Sequence, residues 1–192
     1  MGKFENKVVI ITGAAGGIGK VTAKKLADEG AKLSLVDLNL EAVQQVITEL
    51  GLDDSRAIAL QADVSKEEDV KAYVDATVEK FGRIDGFFNN AGIEGKTFNV
   101  EDYPTEIFEA VLNVNVKGAF LGLKYVVPVM KEQKYGSIVN TASGAGIIGS
   151  PGFVGYNSSK HAVIGMTKVV ALETASYGVR VNAVAPGVIN TR

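Results

Sequence analysis

Six short apolar runs recur along this chain, each set off from the next by a stretch with helical spacing. They cover residues 7–12, 32–36, 56–62, 84–89, 136–142 and 178–184. Runs this short and this rich in Val and Ile are expected of strands buried on both faces. Between them, apolar positions at helical spacing predict helices through Val21, Leu26 and Ala27 to a stop at Gly30, and from Leu40 to Leu50. Ser65 followed by Glu68 reads as a capping box opening a third helix that reaches about Phe81. A longer one is expected over 105–132, with a kink or an interrupted last turn at Pro128, and another over 156–177. Residues 94–104 and the glycine-rich 144–155 read as loops, the second of them mobile. Strands alternating with helices specify an α/β fold, a doubly wound parallel sheet in a single domain over residues 1–192. In such sheets the binding crevice lies beyond the carboxyl ends of the strands. Gly13, Asp37, Asp63, Asn90, Ser143 and Pro186 each follow a strand, so the fold would bring them to one edge.

Composition narrows the chemistry. With 20 basic and 22 acidic residues the chain has a net charge of −2 and no basic tract, so a nucleic-acid partner is not expected. Cysteine is absent, which removes thiolate nucleophiles, disulfides and cysteine metal sites. The single histidine, His161, cannot form a histidine cluster, and no carboxylate spacing suggests a metal site. The first residues lack the apolar core of a signal peptide, and no uninterrupted apolar run is long enough to span a bilayer. The expected setting is cytoplasmic, with no membrane partner.

The first strand runs into Gly13-Ala-Ala-Gly-Gly17-Ile18-Gly19 and then into a helix. Glycine permits the sharp turn and a close phosphate approach, and the helix N-terminus offers free N–H groups to a pyrophosphate. Asp37, ending the second strand, is placed to accept hydrogen bonds from both adenosine ribose hydroxyls. A 2′-phosphate there would meet like charge, and neither Leu38 nor Gly16 offers an arginine to hold it. NAD is therefore expected rather than NADP.

A second constellation follows the fifth strand. Tyr156 and Lys160 are four apart and share a helix face. A phenol titrating near ~10 is a poor acid or base at neutral pH, and a neighbouring ammonium favours its anion. The pair could exchange a proton with an alcohol or a carbonyl. Ser143, at the strand's carboxyl end, could hold the substrate oxygen beside it. Thr141 points to the same side by strand alternation, but Ser143 at the loop edge has the better reach. His161 reads as a helix-surface residue, and Glu94 as either a substrate contact or a solvated acid.

Together these segments resemble the short-chain dehydrogenase/reductase family, in order and over nearly the whole chain. The matching residues are the glycine loop from Thr12 to Gly19, Asp63-Val64, Asn89-Asn90-Ala91-Gly92, Asn115 with Gly118, Ser143, Tyr156 with Lys160, and Pro186-Gly187 with Thr191. The resemblance implies a Rossmann-type fold and NAD-dependent interconversion of an alcohol and a ketone. It implies Tyr156 as general acid/base, Lys160 on the nicotinamide ribose, Ser143 on the substrate oxygen and Asn115 anchoring a water in a proton relay. Asn113 is a decoy for Asn115, which the glycine three residues later singles out. Ile18 would offer its N–H to the pyrophosphate, Asp63 and Val64 would contact the adenine, and Asn90 would line the adenosine side. Val188, Ile189 and Thr191 would meet the carboxamide and diphosphate. A homo-oligomer, dimer or tetramer, is also implied. Phe108, Val111, Leu121, Val163, Val169 and Val170 are either core or subunit interface.

Family members continue past the Pro-Gly motif through lid helices and a last strand, which this sequence lacks. The expectation is that it is part of a longer natural chain. Ile93, Ile147, Ile148 and Phe153 suggest an apolar pocket for a secondary alcohol or ketone. A 3-oxoacyl thioester is the alternative substrate, and a non-catalytic NAD-binding sensor or assembly protein the alternative class.

Overall fold

The computed structural model describes residues 2–190. All six strands pair in parallel in the order β3-β2-β1-β4-β5-β6. They are β1 (Val8–Thr12), β2 (Lys32–Asp37), β3 (Ala57–Gln61), β4 (Gly86–Asn89), β5 (Gly136–Thr141) and β6 (Val179–Val184). The order reverses between β1 and β4, which opens the crevice of a Rossmann-type sheet above their carboxyl ends.

Alternation along the strands divides the core in two. Val9 and Ile11 of β1, with Leu33 and Leu35 of β2, face Ala23 and Ala27 of α1 (Gly17–Asp28) and Val43 and Val46 of α2 (Leu40–Glu49). Ile10, Val36, Phe87 and Ile138 face the opposite way. They pack on Val70, Tyr73 and Val74 of α3 (Glu67–Phe81) and on Leu121, Val126 and Met130 of α5 (Gly118–Gln133). Each such fully buried aliphatic or aromatic side chain contributes roughly 1.5–3 kcal/mol. The polar Ser34 is tolerated on that face because its Oγ lies 2.7 Å from Thr77 Oγ1, which in turn donates to Tyr73 O.

The third helix starts differently from expectation. Lys66 occupies the N-cap and gives no side-chain cap, so Ser65 and Glu68 form no capping box. Ser65 instead gives both its N–H and its O–H to Asp63 Oδ1, and Asp69 reaches back to the Asp63 N–H. The predicted long helix is real but divided, and the break is not at Pro128. α4 (Thr105–Leu112) passes through a π-helical turn, Asn113–Lys117, into α5, which continues for five residues beyond Pro128. By length and composition the run Thr105–Gln133 is apolar enough to cross a bilayer. Here its Leu121, Leu123, Val126 and Met130 are buried in the sheet-packed core. The last helix, α6 (Val154–Thr174), begins two residues earlier than predicted, after a short 3-10 turn at Gly144–Gly146. Of the residues left open between core and interface, Val111, Leu121 and Val163 are core, Phe108 and Val170 are partly buried, and Val169 is exposed. Among the described residues β6 is paired on one side only, by β5.

Candidate active site

A cavity of about 1200 Å³ lies along the carboxyl ends of the strands, open to solvent. Its first end is the glycine loop. Gly13 has φ +65°, and a Cβ there would come within 3.0 Å of Ala91 Cα, so the turn requires glycine. A Cβ on Gly19 would fall 2.1 Å from the Gly13 carbonyl oxygen, so α1 can approach the loop this closely only without a side chain. Gly16 is the N-cap and supplies no capping side chain. The N–H groups of Gly17, Ile18 and Gly19 therefore have no acceptor within the helix and are available to an anion.

Asp37 lines the cavity beside this turn, with its Oδ2 accepting the Ala15 N–H at 3.0 Å. The carboxylate thus fixes the glycine loop and presents negative charge to the cavity beside it. Leu38, 65% exposed, forms the outer rim. Asp63 and Val64 line the same end. The Ser65 hydroxyl and N–H beside Asp63 hold its carboxyl below the ordinary range.

The middle of the cavity is tied together by Thr12, a fully buried residue that ends β1 and opens the glycine motif. Its hydroxyl oxygen accepts the N–H of Asn90 at 2.9 Å and of Ala91 at 3.1 Å. The Asn90 amide donates to Thr12 O, and its carbonyl oxygen accepts from Thr141 Oγ1 at 3.1 Å. Thr141 therefore spends its hydroxyl on holding Asn90. Ser143 lines the cavity and its Oγ accepts the Ala145 N–H at 3.2 Å.

Lys160 and Tyr156 form the far end. The Lys160 side chain is buried, 3% exposed for the whole residue, and Nζ donates to Thr141 O at 2.8 Å. Nζ also lies 5.5 Å from the centre of the Tyr156 ring, a cation–π distance. Burial pushes the lysine down to about 8. Gly92 separates this ammonium from Asn115: a Cβ on it would be 3.1 Å from Asn115 Oδ1 and 3.4 Å from Lys160 Nζ.

Asn115 lies in the π turn behind the cavity and does not line it. Its amide accepts the Ile93 N–H and donates to Ile93 O, both at 2.8 Å, and donates to Ser159 Oγ at 3.0 Å. The side chain thus braces the strand β4 exit against α6. Pro186, Gly187, Val188 and Ile189 border the opening, with Val188 fully exposed. Thr191 lies outside the described residues. His161 is exposed, with Nδ1 2.9 Å from Asn157 O. Glu94, Ile93, Ile148 and Phe153 all line the cavity, whereas Ile147 does not. Sequence reasoning missed Ala62, Val114, Ala145, Asn157 and Asn190, which also line it. Ala62 beside Asp63, Asn157 beside Tyr156, and Asn190 between Ile189 and Thr191 each adjoin a recognised motif, whereas Val114 and Ala145 carry no such signal.

The residues present fit a nicotinamide dinucleotide. They offer unpaired N–H donors for a diphosphate, a carboxylate for a ribose, and a cation next to a phenol at the other end. Comparison with known proteins agrees with this geometry. The profile described as short chain dehydrogenase matches residues 7–192. Levodione reductase of Leifsonia aquatica is 50% identical, over 98% of this chain and 72% of its own length. Cyclohexanol dehydrogenase of Acinetobacter sp. (strain SE19) is 44% identical, over 98% of this chain and 75% of its own. The crystal structure of an NAD+-bound xylitol dehydrogenase superposes with a TM-score of 0.92 at 46% identity, covering 96% of this chain and 71% of that one. With its sequence, sheet order and crevice all in agreement, the chain belongs to the short-chain dehydrogenase family.

Proposed function

We propose that this protein is an NAD(H)-dependent oxidoreductase that interconverts a secondary alcohol and a ketone, acting as one dinucleotide-binding and catalytic domain. The observation that carries the reading is the buried Lys160 ammonium, held between Thr141 O and the Tyr156 ring in the same cavity as the glycine loop and Asp37. Asp37 and the absence of a basic side chain at Gly16 and Leu38 favour NAD over NADP.

When bound, the nicotinamide supplies or accepts the hydride at the carbinol carbon. Tyr156 donates a proton to the substrate oxygen in reduction and accepts it in oxidation. Because Ser143 Oγ accepts the Ala145 N–H, its own proton remains to donate to that same oxygen. Lys160 places a positive charge where the phenol oxygen develops its negative one. Asn115 fixes Ile93 and Ser159 around the lysine, and on this reading it anchors a water in a proton relay behind that lysine. The glycine loop, Asp63, Val64, Asn90, Ala91, Gly92 and the segment from Pro186 to Thr191 bind the cofactor.

The substrate is a small alcohol or ketone, and Ile93, Ile148 and Phe153 favour an apolar ring. Phe120, Val169 and Leu172 are at least half exposed on α5 and α6, which supports a homo-oligomer. The cytoplasm, with its free nicotinamide pool, is the working compartment.

The test combines titration of NADH against NADPH with turnover of cyclohexanone. The wild type should bind NADH more tightly and oxidise it. Tyr156→Phe should lose roughly 10²–10⁴-fold in kcat while keeping its NADH affinity. A Tyr156→Phe chain with undiminished turnover would refute the assignment.

A further inference from the structure

We propose that Asn157 is a positioning residue for this reaction: its side-chain amide clips the loop after β5 onto the first turn of α6 and thereby holds Ser143 opposite Tyr156. This rests on the oxidoreductase reading above. Asn157 Nδ2 donates to Ala145 O at 2.9 Å and to Ile148 O at 2.7 Å. Two carbonyl acceptors fix the orientation of the amide, because only the NH₂ end can serve both. Asn157 Oδ1 is thereby turned into a buried position without a partner among the described residues. A buried acceptor left unsatisfied is unfavourable, so the two loop bonds are retained at a cost.

The clip acts on Ser143 through one residue. Ala145 gives its N–H to Ser143 Oγ and its carbonyl to Asn157. Gly146 N–H returns to Ser143 O at 2.8 Å, and the N–H groups of Ile147 and Ile148 return to Gly144 O. The whole 3-10 turn is thus a small hydrogen-bonded unit with Asn157 as its side-chain tie to the helix that carries Tyr156. Ser143 at one end and Tyr156 at the other must meet a single substrate oxygen, and displacements of about 1 Å at such a site cost on the order of 10²-fold in rate. Asn157 follows Tyr156 directly, so loop and phenol are referenced to the same helical turn.

Two measurements test this. Amide hydrogen exchange on the unliganded chain reads the clip without reference to turnover. Asn157→Ala should speed exchange at residues 146–148 at least tenfold and leave residues 160–170 unchanged. Turnover of cyclohexanone with NADH is then measured for Asn157→Ala, Ser143→Ala and the double variant. The single Asn157→Ala change should lower kcat at least tenfold with less than a twofold change in NADH affinity. In the Ser143→Ala background it should cost less than twofold, because its route to the reaction is already gone. Unchanged loop exchange overturns the proposal, and so does an equal loss in both backgrounds, which is the signature of a merely structural residue. Asn157→Asp keeps the volume but faces two carbonyls with acceptors; wild-type kcat in that chain overturns the proposal whatever the alanine chain does. Absence of turnover in the wild type, or full turnover in Tyr156→Phe, would instead sink the oxidoreductase reading, with the exchange experiment still deciding the clip.

Discussion

Replacing Lys160 by Met should make the unliganded protein more stable at neutral pH while abolishing its activity. The lysine is 3% exposed, and burial lowers it from an ordinary 10.5 to about 8. At 1.36 kcal/mol per pH unit, keeping that ammonium charged inside the fold costs about 3 kcal/mol. Losing the hydrogen bond to Thr141 O would return about 1 kcal/mol of this, so Lys160→Met, of similar volume, should gain about 2 kcal/mol at pH 7. The pH dependence gives the sharper test. Below pH 8 the lysine is protonated in both folded and unfolded chains, and the cost is fully present. Between pH 8 and 10.5 the folded chain gives up its proton first, so the unfolded chain binds more protons and stability rises with pH. The wild type should therefore close the gap to the variant by about 2 kcal/mol between pH 7 and pH 9.5. Urea unfolding of both chains at the two pH values reads this directly. A gap that stays constant across that range would show that Lys160 is not desolvated as described. An opposition of stability and activity at this residue is the outcome expected if Lys160 plays the proposed role.

Other substitutions probe the supports of the site. Asp85→Ala should destabilise by about 2–3 kcal/mol in urea unfolding, because the buried carboxylate takes both Arg83 Nε and Nη2 and the Val8 N–H, although the arginine is half exposed. Asp85→Asn should cost less, and an unchanged unfolding midpoint in the alanine chain would refute the role. Gly19→Ala, whose Cβ would strike the Gly13 carbonyl, should weaken NADH binding at least tenfold in a fluorescence titration and destabilise by about 1–3 kcal/mol. Wild-type NADH affinity in that chain would show that α1 can move away from the loop without harm.

The doubly wound sheet was legible because its signals are local. Val8 to Thr12 must be a strand buried on both faces, and the glycines from Gly13 to Gly19 then demand a tight turn into a helix. Tyr156 and Lys160 are brought together by helical spacing alone, so their 5.5 Å approach needs no knowledge of the rest of the chain. Other signals competed with better partners. Ser65 carries the pattern of a cap, but Asp63 two residues earlier is an ionised acceptor and takes its hydroxyl. Pro128 carries the pattern of a kink, yet the helix is disturbed one turn before α5 begins, where Asn115 is drawn onto Ile93 and Ser159.

What the sequence by itself determined is thus the alternation of strands and helices, the anion-binding turn, the acid ending β2 and the Tyr156–Lys160 pair. Each of these depends on residues within a few positions of one another. The tertiary structure alone decided that Thr12 would hold Asn90, 78 positions away, and that Thr141 would be consumed by Asn90 rather than left for substrate. It also decided that Lys160 would be buried deeply enough to give up its proton more readily than an exposed lysine. These follow from strand order: β4 inserts beside β1 and β5 beside β4, and only then do side chains far apart in sequence compete for the same hydrogen bonds and exclude the same water.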